Sequence, residues 1–215
     1  MKKFTKMWAI AACALFAGTA AVNAEDYTWK FVTAGDATTY AIRSDGSLWS
    51  WGWNEKGQGG NGVSERTATP TLADGNRVWK KAVGGKAYGF FLAEDGSLWA
   101  AGTHEGGVQG TNDGIDHKVL TRIGTDNDWA DMACSRFWGY SGFAIKTNGT
   151  LWAWGKNSAG QLGIGNTQAQ TAPVQVGADM DWKQVAAGCS SVLALKTDGS
   201  LWGWGFNMYS ELFGH

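Results

Sequence analysis

The sequence predicts an all-β protein of β-propeller-type repeats, in four blades. Three observations carry this: a period of about fifty residues, a turn dipeptide at the same place in every period, and strands that are apolar on both faces. Trp29, Trp79, Trp129 and Trp182 open four units, spanning about 29–78, 79–128, 129–181 and 182–215. Asp45-Gly46, Asp95-Gly96, Asn148-Gly149 and Asp198-Gly199 follow at distances of 16, 16, 19 and 16 residues, and each turn precedes the next opening Trp by 34. The one change of length is therefore a three-residue insertion in the third unit, between Cys134 and Phe143.

Each turn joins two apolar runs, which predicts a tight hairpin of type I′ with positive φ at both central residues. Before the turns stand Tyr40-Ala41-Ile42, Phe90-Phe91-Leu92, Phe143-Ala144-Ile145 and Leu193-Ala194-Leu195. After them come Leu48-Trp49, Leu98-Trp99, Leu151-Trp152 and Leu201-Trp202, with Trp51, Ala101, Trp154 and Trp204 two residues further on. Alternation along a strand sends Leu48 to one face and Trp49 with Trp51 to the other. Such a strand must be covered on both sides, as a blade is by its neighbours. Pro70 and Pro173, with Leu120 in the same place in unit two, mark a fourth strand at the sheet edge, where a missing N–H costs little. The corresponding strand of unit four would fall near position 223, beyond His215, so the expectation is an open or incomplete propeller whose last blade lacks its edge strand.

The motif Asp-Gly-Ser-Leu-Trp-x-Trp-Gly-x-Asn, followed by Gly160-Gln161-Leu162-Gly163-x-Gly165, resembles the regulator of chromosome condensation repeat. The resemblance covers essentially all of residues 25–215 and implies a propeller. Unit two departs from it, with Ala101 for the second Trp and His104-Glu105-Gly106-Gly107 for the Asn step. Thr38, Tyr88 and Ser191 stand where the family often has His. Family propellers usually close with seven blades, and four units at about 51° each sweep little more than half a circle.

Residues 1–24 read as a cleaved signal peptide: Lys2, Lys3 and Lys6, an apolar stretch from Met7 to Ala17, then Val22-Asn23-Ala24. The stretch Ile10-Ala11-Ala12-Cys13 offers a competing lipoprotein reading. Cleavage after Ala24 removes three lysines and no acid and takes the formal net charge from −1 to −4, which leaves no basic field for nucleic acid. No later run is long enough for a membrane span. The expected location is therefore secreted, periplasmic or cell-surface in a bacterium. Cys134 and Cys189 are either two unpaired thiols or a disulfide.

Eleven of the 14 tryptophans hold repeat positions, where packing between blades explains them better than light sensing does. Trp8 lies in the signal peptide, leaving Trp53 and Trp138. Trp138 belongs to the insertion with Arg136, Phe137 and Tyr140, the aromatic and arginine composition of binding hot spots, although Phe137 or Tyr140 could instead fold over a blade end. Trp53 aligns with Thr103, Lys156 and Phe206 and is a second contact candidate.

The acidic pairs Asp126/Asp128 and Asp179/Asp181 hint at calcium, but an acid or Asn three residues before each opening Trp (Asp26, Asn76, Asp126, Asp179) points to a recurring Asx turn. His104, His117 and His215 show no metal-ligand spacing, and no catalytic or phosphate-binding motif is present. No cofactor is expected. The function expected is a non-enzymatic module that binds a protein or surface polymer through loops on a rigid scaffold. A propeller enzyme acting on carbohydrate or peptidoglycan, or a fragment of a longer repeat protein, are the alternatives. Guanine-nucleotide exchange, the activity best known in the family, conflicts with export. Open blade ends, with Phe206, Tyr209 and Phe213 nearby, predict self-association.

Overall fold

A computed structural model describes residues 28–207 and Leu212. Residues 1–24, expected from the sequence to be a signal peptide and including Cys13, together with Asp26, Tyr209, Phe213 and His215, lie outside the described residues. Four sheets follow one another along the chain. Unit one holds β1 (Trp29–Ala34), β2 (Thr38–Arg43), β3 (Leu48–Gly52) and β4 (Thr67–Asp74). Unit two holds β5 (Trp79–Gly84), β6 (Tyr88–Ala93), β7 (Leu98–Gly102) and β8 (His117–Arg122). Unit three holds β9 (Trp129–Cys134), β10 (Ser141–Lys146), β11 (Leu151–Gly155) and β12 (Gln170–Gln175). Unit four shows β13 (Trp182–Ala187), β14 (Ser191–Lys196) and β15 (Leu201–Gly205), three strands among the described residues. Every sheet is an antiparallel meander in sequence order. Pro70 and Pro173 lie in the outer strands β4 and β12, beside register shifts that spare a ladder hydrogen bond.

The turns are hairpins, but not type I′. Only their glycines have positive φ: Gly46 at 86°, Gly96 at 78°, Gly149 at 80° and Gly199 at 89°. In the first, Gly46 N–H donates to the Arg43 carbonyl at 3.0 Å and Arg43 N–H to the Ser47 carbonyl at 3.1 Å. That is a type I turn closed by a glycine bulge. The Asp stays at negative φ because its side chain has work there. Asp45 Oδ1 accepts from Ser47 N–H at 2.9 Å and Ser47 Oγ at 2.6 Å, and the Ser47 oxygen in turn accepts from Trp49 Nε1 at 2.8 Å. The relay recurs as Asp95–Ser97–Trp99, Asn148–Thr150–Trp152 and Asp198–Ser200–Trp202.

Between units, the Leu face of one sheet packs on the Trp face of the next. Tyr40, Ile42 and Leu48 meet Trp79, Ala82 and Phe91. Phe90, Leu92 and Leu98 meet Trp129, Met132 and Trp154, and Phe143, Ile145 and Leu151 meet Trp182, Val185 and Val192. Each junction is also clasped by backbone. The opening Trp N–H donates to the turn glycine of the preceding unit: Trp79 to Gly46 at 2.9 Å, Trp129 to Gly96 at 3.2 Å and Trp182 to Gly149 at 3.0 Å.

A cation sits at each Trp pair. Lys146 lies about 5 Å from the centroids of Trp129 and Trp152 and pairs with Asp126 at 2.6 Å and Asp128 at 3.1 Å. Lys196 repeats this with Trp182, Trp202, Asp179 and Asp181. The carboxylate of Asp179, then that of Asp181, holds its ammonium above the usual lysine range. The acidic pairs are thus occupied by lysine rather than forming the expected Asx turns, and among the described residues no three or more His, Cys, Asp or Glu side chains come together as a metal site. Unit two has Ala93 at the lysine position, and Arg77 takes its place, 4.0 Å from the Trp99 centroid and 3.2 Å from Asp74. Cys134 is buried and Cys189 exposed, and both thiols are free. Burial pushes the Cys134 thiol up to about 12.

Gly149 and Gly199 share a conformation but not an environment. A Cβ on Gly149 would meet the Met180 carbonyl oxygen, whereas one on Gly199 meets nothing within 4 Å. Gly199→Val should therefore destabilise by about 1 kcal/mol from backbone strain, and Gly149→Val by about 3 kcal/mol, as read from denaturant midpoints. The serine hydroxyls and N–H groups that hydrogen-bond Asp45, Asp95 and Asp198 hold these carboxyls below the usual value of 3.8. Their contribution is present above that value and is lost as pH falls through the lowered one. The melting temperature should drop below about pH 4, and Asp95→Asn, which gives unit two the residue that Asn148 supplies in unit three, should flatten that acid limb.

Candidate functional site

The first two strands of a unit are joined by three residues in units one, two and four: Gly35–Ala37, Gly85–Ala87 and Gly188–Ser190. In unit three the joint is six residues, 135–140, because β9 ends at Cys134 and β10 begins at Ser141. The extra length forms a fixed projection. Its stem is tied where Ser135 N–H donates to the Ser141 carbonyl at 2.9 Å and Gly139 N–H to the Arg136 carbonyl at 3.1 Å. Ser141 Oγ lies 3.0 Å from the Gly139 carbonyl and 2.7 Å from that of Lys156. Two ties reach the neighbours. Arg136 N–H donates to the Gly188 carbonyl of unit four at 3.0 Å, and Tyr88 of unit two donates its hydroxyl to the Ser135 carbonyl at 2.6 Å.

Gly139 presses on unit four so closely that a Cβ there would strike the Cys189 carbonyl oxygen. Phe137 and Tyr140 take positive φ, 51° and 44°, a conformation non-glycine residues adopt only when their surroundings fix it.

This backbone turns the four loop side chains apart. Tyr140 points inward, 3% exposed, its ring 5.9 Å from Tyr88. Burial, then the Glu105 carboxylate, pushes its hydroxyl up to about 12. Tyr140, and not Phe137, is thus the residue that folds over the blade end, its ring closed against the blade core. Phe137 and Trp138 point outward at 60% and 61% exposure, and Arg136 is exposed beside them. The Trp138 ring stands edge-on to Tyr140 at 6.4 Å, and Lys86 Nζ from unit two lies over its face. The result is a rigid pair of exposed aromatics flanked by two cations, Lys86 and Arg136.

Trp53 lies elsewhere. It follows β3 in unit one and is half-buried, lining a cleft of about 460 Å³ with Ala37, Gly52, Arg66, Thr67 and Ala68. Its carbonyl accepts from Thr38 Oγ1 at 2.6 Å. Strand order places Trp53 and the projection at the same end of their sheets, with unit two between them. The contributions of Lys86 and of the Gly139–Cys189 contact are not legible from repeat spacing, since both come from adjoining units.

Antiparallel sheets of four strands, with three described in the last, stacked through their apolar faces and carrying an ordered loop on one rim, define an all-β repeat scaffold of β-propeller blades. Two models of the regulator of chromosome condensation (RCC1) repeat match the chain, one at residues 45–92 and 148–195 and the other at 29–58. The chain belongs to the regulator of chromosome condensation repeat family. It is 30% identical over 163 residues to the ultraviolet-B receptor UVR8 of Arabidopsis thaliana, covering 74% of this chain and 37% of that protein. It is 27% identical over 150 residues to human protein RCC2, covering 68% of this chain and 19% of that one. The chain thus spans well under half the length of these relatives.

Among solved structures it is similar to human WBSCR16, with a TM-score of 0.74 at 20% identity, over 84% of this chain and 48% of that one. It is also similar to yeast RCC1 (Prp20) bound to Kap60, with a TM-score of 0.73 at 23% identity, over 85% and 44%. These likenesses establish the fold.

If the loop is held by Gly139 and Tyr140 rather than by its exposed rings, Trp138→Ala should change stability by less than about 0.5 kcal/mol. Gly139→Val, which has no room against unit four, should cost about 2 kcal/mol or more in the same denaturation measurement.

Proposed function

We propose that the protein is a non-enzymatic interaction module that acts outside the cytoplasm and binds a protein or surface polymer through the unit-three projection. One observation carries this reading: Phe137 and Trp138 are both about three-fifths exposed on a loop whose backbone is pinned to the units on either side. Exposed rings on a pre-ordered loop lose little freedom on binding, and Trp flanked by Arg is the composition that dominates interface energetics. Lys86 and Arg136 favour an acidic or carbonyl-rich surface around the aromatic contact. A protein partner is also in keeping with similar structures, since yeast Prp20 is seen with Kap60 and has binding properties toward Gsp1p and histones. Trp79, Trp129 and Trp182 are buried in packing between units, which accounts for them without a role in light sensing. Export rests on the basic, apolar and small-residue pattern of residues 1–24.

A photo-crosslinking residue at position 137, used in the native extracytoplasmic fraction, identifies the bound partner. Against that partner, Trp138→Ala should weaken binding by about 2 kcal/mol, roughly thirtyfold, with the melting temperature unchanged. An unchanged affinity removes the projection as the site. Intact-mass measurement of the exported protein should give an N-terminus at Glu25, and a lipidated Cys13 would place the protein on a membrane surface instead.

A further inference from the structure

The three junctions inside the chain are built alike, and the two end faces of the stack are the separated halves of a fourth. On the Trp face, the opening Trp is 0%, 3% and 6% exposed at Trp79, Trp129 and Trp182, but 47% at Trp29. Three residues further, Ala82, Met132 and Val185 are buried, whereas Val32 is 67% exposed. On the Leu face, Leu48, Leu98 and Leu151 are fully buried, whereas Leu201 is 50% exposed. The backbone clasp divides in the same way. The carbonyls of Gly46, Gly96 and Gly149 each accept from the next opening Trp, which leaves Gly199 and Trp29 as the acceptor and donor positions at opposite ends. A Cβ on Gly199 has open space where the equivalent atom on Gly46, Gly96 or Gly149 would strike Val78, Asn127 or Met180, in the segment that leads into the next opening Trp.

We infer that two copies of this chain join head to tail, the Leu201 face of one seating on the Trp29 and Val32 face of another. The geometry of the contact is that of the internal junctions. Leu193, Leu195 and Leu201 take the places of Phe143, Ile145 and Leu151, and Trp29 and Val32 those of Trp182 and Val185. The Trp29 N–H meets the Gly199 carbonyl. Lys81 pairs with Asp131 in the junction of units two and three, and the corresponding positions of the two end faces, Gln184 and Phe31, are uncharged. Because the joined surfaces differ, the association is heterologous and either closes into a ring or continues as a chain of copies. The contact lies away from the unit-three projection, so it stands or falls independently of the proposed function.

The test uses two variants of the full chain, Leu201→Arg and Val32→Lys, each placing a positive charge on one exposed end face so that the two altered faces repel each other. Sedimentation velocity follows the mass across a concentration series, and the near-ultraviolet tryptophan signal checks the fold. The unaltered chain should associate with rising concentration, and each variant alone should remain a monomer over that range, its association weakened about tenfold or more. Mixed one to one, the variants should form a species of two copies and no larger, because one intact face of each kind remains. A monomeric unaltered chain would overturn the inference, since it would mean that the end faces are covered by other segments of the same molecule. So would variants that associate like the parent, or a mixture that stays monomeric.

Discussion

A sheet with large apolar side chains on both faces has no stable isolated state in water, and every other feature of this protein follows from meeting that constraint with a copy of itself. The cover for the Leu face of one unit is the Trp face of the next, so stability resides in the junctions as much as in the sheets. The junctions combine a shape-dependent contact with a directional one: Trp79 is fully buried against the Leu48 face while its backbone N–H donates to Gly46. Apolar contact alone tolerates sliding. A hydrogen bond from the opening tryptophan to a fixed turn sets the register of one sheet on the next, and it allows a loop built from three units to hold a defined shape.

The turn is where local chemistry and long-range packing meet. Asp45 or its equivalent closes its own hairpin through Ser47, Ser47 orients Trp49, and Trp49 stands 6.2 Å from Trp29 in an edge-to-face pair that forms the next contact surface. The same pair recurs at 6.2 Å, 6.0 Å and 6.2 Å in the other units. The five residues from Asp to Trp are thus one device whose parts lose their purpose separately. The projection borrows rigidity from this framework, for Tyr140 is buried beside Tyr88 and its own neighbours are junction residues.

Much of this is legible in the sequence. Period, strand order, the edge placement of Pro70 and Pro173 and the three-residue insertion all follow from spacing, because each is a one-dimensional property of the repeat. The turn type was not, since Asp-Gly satisfies type I′ and bulged type I hairpins equally, and the choice is made by a hydrogen bond from Ser47 that dipeptide statistics ignore. Nor was the partner of the acidic pairs, because Lys146 lies 18 residues beyond Asp128 and meets it only across the sheet. In the insertion, Trp138 and Phe137 could be singled out by composition, yet which ring turns inward depends on the positive φ at 137 and 140 and on the surface of unit four, which is three-dimensional information.

Unit two carries Ala93 where unit three has Lys146, and its cation, Arg77, stands sixteen residues earlier in the chain yet over Trp99, the counterpart of Trp152. Repeat arrays change by recombination between their own units, and here a crossover falling between those two positions would produce unequal products. One hybrid would carry two cations against a single aromatic pair, and the other would leave two carboxylates with none. The stretch from Arg77 to Ala93 is therefore interchangeable with its counterpart in unit three only as a whole, if one cation is to stay with each aromatic pair.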